Sequence, residues 1–223
     1  MNYQFDFQSV FDASDLLLQG TLLTIKLSAS AMIIGLFVAI LFALCKTRGP
    51  AFLRWPINVY IELVRNTPFL VQLFFFYFGL PAMGIQLSAN TAALIAMVVN
   101  VGAYATEIIR AGIESINRGQ IEAGLALNLS HLQVFRYVII KPALRAIYPA
   151  LTSQFILLML ASAVVSAISA DDLTSVAANL QSQTFKSFEI YIVITGIYLL
   201  LAMGFSLLFR IVYRLSFNYP LGR

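Results

Sequence analysis

Charge is what this chain has least of. Only 11% of its 223 residues are Asp, Glu, Lys or Arg, against about 25% in soluble globular domains. That is too few to cover a water-facing surface, so a soluble domain is excluded. Histidine occurs once (His131) and cysteine once (Cys45). An intrachain disulfide is therefore impossible, and no Cys/His/acid cluster has metal-site spacing. The Gly-x-x-x-x-Gly-Lys-Ser/Thr phosphate loop is also missing, so the chain is not expected to hydrolyse ATP itself. No Lys or Arg precedes the first apolar block; Asp6, Asp12 and Asp15 stand there instead. A secretory signal opens on basic residues, so a cleavable signal is not expected.

What the chain has is apolar surface in long blocks. It is 60% hydrophobic, with a mean hydropathy of +0.86. The blocks lie at about 20–45, 57–80, 89–110, 147–168 and 189–212, each near the ~20 residues needed to cross a bilayer as a helix. Strands are excluded at this length, and backbone groups in lipid must be satisfied within their own segment. The expectation is an all-α integral membrane protein of about five transmembrane helices. It forms one domain (20–223) preceded by an outer interfacial segment (1–19).

The connections alternate in charge. Lys46, Arg48 and Arg54 follow the first block; Arg110, Arg118, Arg136, Lys141 and Arg145 follow the third; Arg210, Arg214 and Arg223 close the chain. The second connection is uncharged, and the fourth carries Asp171, Asp172 and Glu189 against Lys186. Positive-inside topology then predicts an outer N-terminus and a cytoplasmic C-terminus. The net charge of +4 marks membrane topology rather than a nucleic-acid partner.

The least hydrophobic long stretch is the most informative. Residues 111–146 hold Ile121, Leu125, Leu129, Leu132, Phe135 and Val138 at helical spacing. Ser130 and Gln133 form a capping-box pattern. This predicts two short amphipathic helices with a bend near Asn128. On periodicity alone, a loop lying on the headgroups is equally open.

The run Glu122-Ala123-Gly124-(Leu-Ala-Leu)-Asn128-Leu129-Ser130, followed by Val138-Ile139-Ile140 and Pro142, resembles the EAA loop of ABC importer permeases. It departs from the family pattern in three places. Gly124 stands for the second Ala, Asn128 for the Gly, and Pro142 is displaced by one, with Lys141 in its usual place. Asn tolerates the left-handed backbone that a bend Gly supplies, so the second swap is mild. Gly20-Thr21-Leu22-Leu23-Thr24-Ile25, Val64 through Gln72, and Gly102-Ala103-Tyr104 with Glu107, Arg110 and Ala111-Gly112-Ile113 are similar to polar amino acid permeases of the histidine/glutamate/arginine class. The resemblance implies a MetI-like permease fold in a bacterial cytoplasmic (inner) membrane and short cytoplasmic coupling helices. It implies no cofactor in this chain, ATP and magnesium being held by a cytoplasmic ATPase dimer. A second permease subunit and an extracytoplasmic amino-acid-binding protein are the other implied partners. The Lys-Asp-Thr/Ser run of many relatives is replaced by Leu160-Ala161-Ser162-Ala163-Val164, which argues against a basic substrate or for a subunit whose partner holds the substrate.

Gln72, Asn100 and Ser162 fall near the middle of blocks two, three and four, where polar groups are costly. They are candidates to line a solute path, with Thr67 and Tyr104 toward the inner side. Interhelical hydrogen bonding is the alternative. Arg65 could offer its guanidinium to a substrate carboxylate; neutralisation by Glu62, three residues earlier, is the competing expectation, as for Arg110 and Glu107. A secondary transporter would need ionisable groups at mid-span, and a non-transporting scaffold would not need three polar residues at one depth.

Overall fold

In a computed structural model the protein is described over residues 5–217; residues 1–4 of the outer segment and 218–223 of the tail, with Arg223, lie outside that range. Helix α1 (Gln8–Asp12) leads into α2 (Ser14–Arg48), and α3 (Ala51–Arg65) into α4 (Phe69–Phe74). The last continues through a π turn, Phe75–Gly79, and a 3-10 turn, Leu80–Met83. Helix α5 spans Ala89–Glu114, and α6 spans Arg118–Ala126. The short α7 (His131–Gln133) runs through a π segment (Val134–Ile139) into α8 (Ile140–Ala161) and a 3-10 segment (Ser162–Ile168). Helices α9 (Leu173–Thr184) and α10 (Ser187–Ser216) complete the chain.

Four helical stretches are long and apolar enough to cross a membrane, and the bent pair α3–α4 makes a fifth. Three bounds differ from those expected. The first helix starts at Ser14 and has 35 residues, or ~52 Å, more than a ~30 Å hydrocarbon layer. Lys26 stands exposed on it, ~30 Å along the axis from Lys46. The N-terminal part of α2 is where α9 packs, with Gly20 against Leu173 and Val176. The second block is not one rod: the helix direction bends by 111° at its break. Pro68 has no N–H to give and turns Thr67 away from helical backbone. The fourth span starts earlier than 147, because α7, the π segment and α8 form one stretch over His131–Ile168. The widened turn precedes Pro142, which has no N–H for the carbonyl of Val138.

Helices α2 and α5 make the closest seam, and small residues allow it. There the buried face of α2 reads Ser28, Ala31, Gly35, Ala39 and Ala43; α5 answers with Ala92, Ala93, Ala96, Gly102 and Ala105. Between membrane helices, packing and hydrogen bonds replace the hydrophobic drive, so close backbone approach is what holds them. At Gly35 an added Cβ would lie 2.3 Å from a Val101 methyl, and at Gly112 it would lie 2.0 Å from Ile147 on α8. Helix α10 is the opposite case, with only 6% of its most apolar window buried.

The charges sort to two ends. At the basic end Lys46 of α2 donates to Glu107 of α5 at 2.5 Å, and Glu107 and Glu114 both receive Arg110. At the acidic end Asp171 and Asn90 are joined by two hydrogen bonds of 3.0 and 3.1 Å. There too the Asp6 backbone N–H donates to the buried Glu189 at 3.0 Å, and Asp6 pairs with Lys186. That pairing holds the Asp6 carboxyl below the usual carboxylate range. Asp172, buried, caps α9 by accepting from the N–H of Thr174 and Ser175, both at 3.1 Å. Burial pushes its carboxyl up, against those two hydrogen bonds.

Candidate functional site

Two features of the basic half carry polar chemistry: the loop between the third and fourth spans, and the broken second span. The loop is ordered by local hydrogen bonds. Asn117 caps α6 by accepting from Gly119 N at 2.8 Å. Helix α6 ends where Asn128 enters the left-handed region at φ 62°. There Asn128 N donates to Leu125 O at 2.9 Å and Leu129 N to Gly124 O at 3.2 Å, the paired bonds of a Schellman end. Two residues on, Ser130 N donates to Gln133 Oε1 (2.8 Å) and Gln133 N to Ser130 Oγ (3.3 Å). The bend and the capping box are as the sequence predicts.

Gly124 is buried against the helix it precedes. An added Cβ would sit 3.1 Å from Val134 and 3.4 Å from Val138, so α6 crosses the π segment at near-contact distance. Val134, Ile139 and Ala143 form a small core with Ile121, Leu129, Phe135 and Val138 packed on it. Not every periodic position joins that core. Leu125, Leu127 and Leu132 are exposed, the last two at 77% and 72%, and Glu122 and Ala123 are exposed beside them. The loop is thus braced from beneath and presents an apolar, acid-bearing face. Arg48, at the end of α2, stacks over the Phe135 ring at 4.0 Å, a joint between α2 and the loop that sequence spacing does not reveal.

At the broken span Gln72 is buried and fully engaged. Its Nε2 donates to Val64 O (2.7 Å), Thr67 O (3.1 Å) and Thr67 Oγ1 (2.9 Å), and its Oε1 accepts from Asn100 Nδ2 at 3.1 Å. Two backbone carbonyls at the break are thereby satisfied by one side-chain amide. Gln72 and Asn100 therefore come together, as expected for residues of one depth, and Thr67, expected nearer the inner side, joins them at the break. Ser162 takes no hydrogen bond from them; it is fully buried and donates to Met159 O of its own helix at 2.6 Å.

Arg65 does not pair with Glu62. The Glu62 carboxylate accepts from Asn66 Nδ2 at 2.9 Å, while the Arg65 guanidinium lies over the Tyr104 ring at 5.5 Å. Arg65 and Thr67 are exposed, and Tyr104 is half-buried. A cation without a carboxylate partner among the described residues, beside a hydroxyl and an aromatic face, suits a small anionic group. His131 opens α7 exposed, and Cys45 is half-buried near Tyr60.

These spans, with a capped loop between the third and fourth, define a multi-pass helical membrane protein. The chain belongs to the family described as binding-protein-dependent transport system inner membrane component, whose model matches residues 31–216. Among curated proteins it is 36% identical over 197 residues to the putative glutamine transport system permease protein GlnP of Rickettsia bellii (strain RML369-C), covering 88% of this chain and 90% of that protein. To the glutamine transport system permease protein GlnP of Escherichia coli (strain K12) it is 33% identical over 209 residues, covering 93% and 95%. Among solved structures it is similar to an amino acid ABC transporter crystallised with histidines, at a TM-score of 0.88 and 39% identity, covering 95% of this chain and 99% of that one. An inward-facing MetNI methionine ABC transporter shares the fold at a TM-score of 0.74 and 19% identity, over 92% and 98%.

Proposed function

We propose that this chain is the membrane-spanning subunit of an ATP-driven importer for a polar, uncharged or acidic amino acid, with its basic end in the cytoplasm. Glutamine is the solute named for the relatives, and its class fits a path without an acid at Ser162. The carrying observation is the loop face at 122–132. Exposed Leu127, Leu132 and Glu122 stand on a backbone pinned by two caps and a small core, so a push on that face moves the loop as a body.

The partner that pushes is a cytoplasmic ATPase dimer holding ATP and magnesium, docked over Glu122, Ala123 and Gly124, with the Asn128-Leu129-Ser130 bend fixing their angle. A second permease subunit, identical or paralogous, completes the solute path, and an extracytoplasmic binding protein delivers the amino acid to the acidic end. Within this subunit the solute carboxylate meets Arg65, with Thr67 and Tyr104 beside it. Gln72 and Asn100 shape that path by holding the bend rather than by offering free groups, and Ser162 supports it from within.

Two variants test the reading in one uptake experiment. Glu122→Lys, which reverses charge on the docking face, is expected to lower ATP-driven uptake more than tenfold (about 1.4 kcal/mol) with membrane insertion unchanged. Arg65→Lys keeps the charge but loses the planar fork, and is expected to weaken apparent substrate affinity with ATPase association intact. Full uptake by the first, or unaltered affinity in the second, contradicts the corresponding part.

A further inference from the structure

Helix α10 is the most lightly packed of the long apolar helices, and its basic end borders a groove. Two adjoining cavities of about 270 and 580 Å³ lie between α8 and α10 and share Ile156, Ser206 and Arg210 in their walls. The groove has two chemistries. Arg210 and Tyr213 stand toward the basic end, and Met203, Leu207 and Ile156 wall the part nearer mid-span. From Tyr213 back to Met203 is ten residues of helix, ~15 Å, or one leaflet of a ~30 Å hydrocarbon layer.

Arg210 is exposed and has no carboxylate partner among the described residues. The acids at this end are engaged elsewhere: Glu107 and Glu114 with Lys46 and Arg110, and Glu62 with Asn66. Glu122 belongs to the loop. A second copy of this chain therefore has no spare span-borne acid to bring to Arg210. An amphiphile does: a phosphodiester offers two oxygens to a guanidinium fork, with an acyl chain attached at the correct distance.

We propose that the groove between α8 and α10 holds one anionic phospholipid from the leaflet at the basic end. Its phosphate sits at Arg210, and one acyl chain lies along Met203, Leu207 and Ile156. The net negative headgroup sets the preference. A zwitterionic headgroup carries the same phosphate, but its own cation competes with Arg210.

Native mass spectrometry of the purified full-length protein, exposed to equal amounts of phosphatidylglycerol and phosphatidylcholine, tests this. The wild type is expected to retain phosphatidylglycerol roughly fivefold over phosphatidylcholine, the size of one cation's contribution at an anionic surface. Arg210→Gln brings the ratio to about one, Arg210→Lys restores most of it, and Arg214→Gln, outside the groove, leaves it unchanged. Gly204→Trp, placed where an added side chain meets open space, is expected to lower retention of both lipids without changing their ratio. Helical content by circular dichroism confirms that each variant is folded. A phosphatidylglycerol preference that survives Arg210→Gln overturns the proposal. So does a Gly204→Trp variant that splits a dimer into monomers with lipid retention intact, which would assign the groove to a second subunit.

Discussion

Two of the bends near the basic end are held in different ways. At 127–130 every bond that shapes the turn joins residues within five positions: the left-handed Asn128, the two Schellman bonds and the Ser130–Gln133 box. At 66–68 the turn is imposed locally by Pro68 but held from a distance. Gln72 reaches back eight residues to Val64 O and is itself anchored on Asn100, 28 residues away. One bend is written where it occurs; the other is completed by the bundle. The first should tolerate changes elsewhere in the bundle, and the second should not.

Breaking the second bend should have the larger effect. Gln72→Leu leaves the Val64 and Thr67 carbonyls with no side-chain donor and is expected to cost about 1–3 kcal/mol. Asn100→Ala, which removes only the anchor, should cost about 0.6 kcal/mol. Thermal unfolding of the purified protein, followed by far-ultraviolet circular dichroism, separates them; equal losses would mean that the bend does not depend on the amide. Combined as Gln72→Leu with Asn100→Ala, they should abolish uptake while the protein still inserts.

The loop bend offers a smaller contrast. Asn128→Val forces a β-branched residue into left-handed backbone at a cost of about 1–2 kcal/mol, whereas Asn128→Gly should be neutral to within a few tenths. Uptake relative to ATP hydrolysed is the sensitive measurement, because the bend sets the angle of the docking face. If Val and Gly behave alike, the backbone conformation at 128 is not what positions that face.

The smallest expected effect lies at the acidic end, where Asp6 ties the segment before α1 to Lys186 and Glu189. Because the pairing lowers the Asp6 carboxyl, its contribution is present above the ordinary carboxyl range near 3.8. It fades as pH falls through the lower folded value. Hydrogen exchange of residues 5–13 should rise in that acid window, and Lys186→Ala should produce the same rise at neutral pH. An exchange rate indifferent to both would show that the tie does not hold the segment.

The difference between the bends also explains what the sequence could reveal. Asn128 and Ser130–Gln133 are short-range devices, visible as residue types at fixed spacing. The five apolar blocks and the two charged ends were legible for the same reason. Gln72 was legible only as a polar residue at an awkward depth, because its carbonyl partners are exposed by a break that hydropathy does not register. Arg65 turns from Glu62 to Tyr104 since Asn66, next along the helix, takes the carboxylate. The start of α2 at Ser14 was not legible, because Leu16–Leu18 stand among acids and hydropathy alone does not join them to the block that follows. The Arg48–Phe135 joint brings together residues 87 positions apart in the chain, beyond any periodic signal.

The α2–α5 seam has a mechanical consequence. With Gly35 seated against Val101, and Gly102 against Val38 and the Gly35 carbonyl, the two helices have little slack in which to slide. They act as a single beam, fastened across its basic end by Lys46 and Glu107. Any alternation between openings at the two faces of the membrane must then leave this beam rigid. Motion is then expected of α10, the least buried of the long apolar helices.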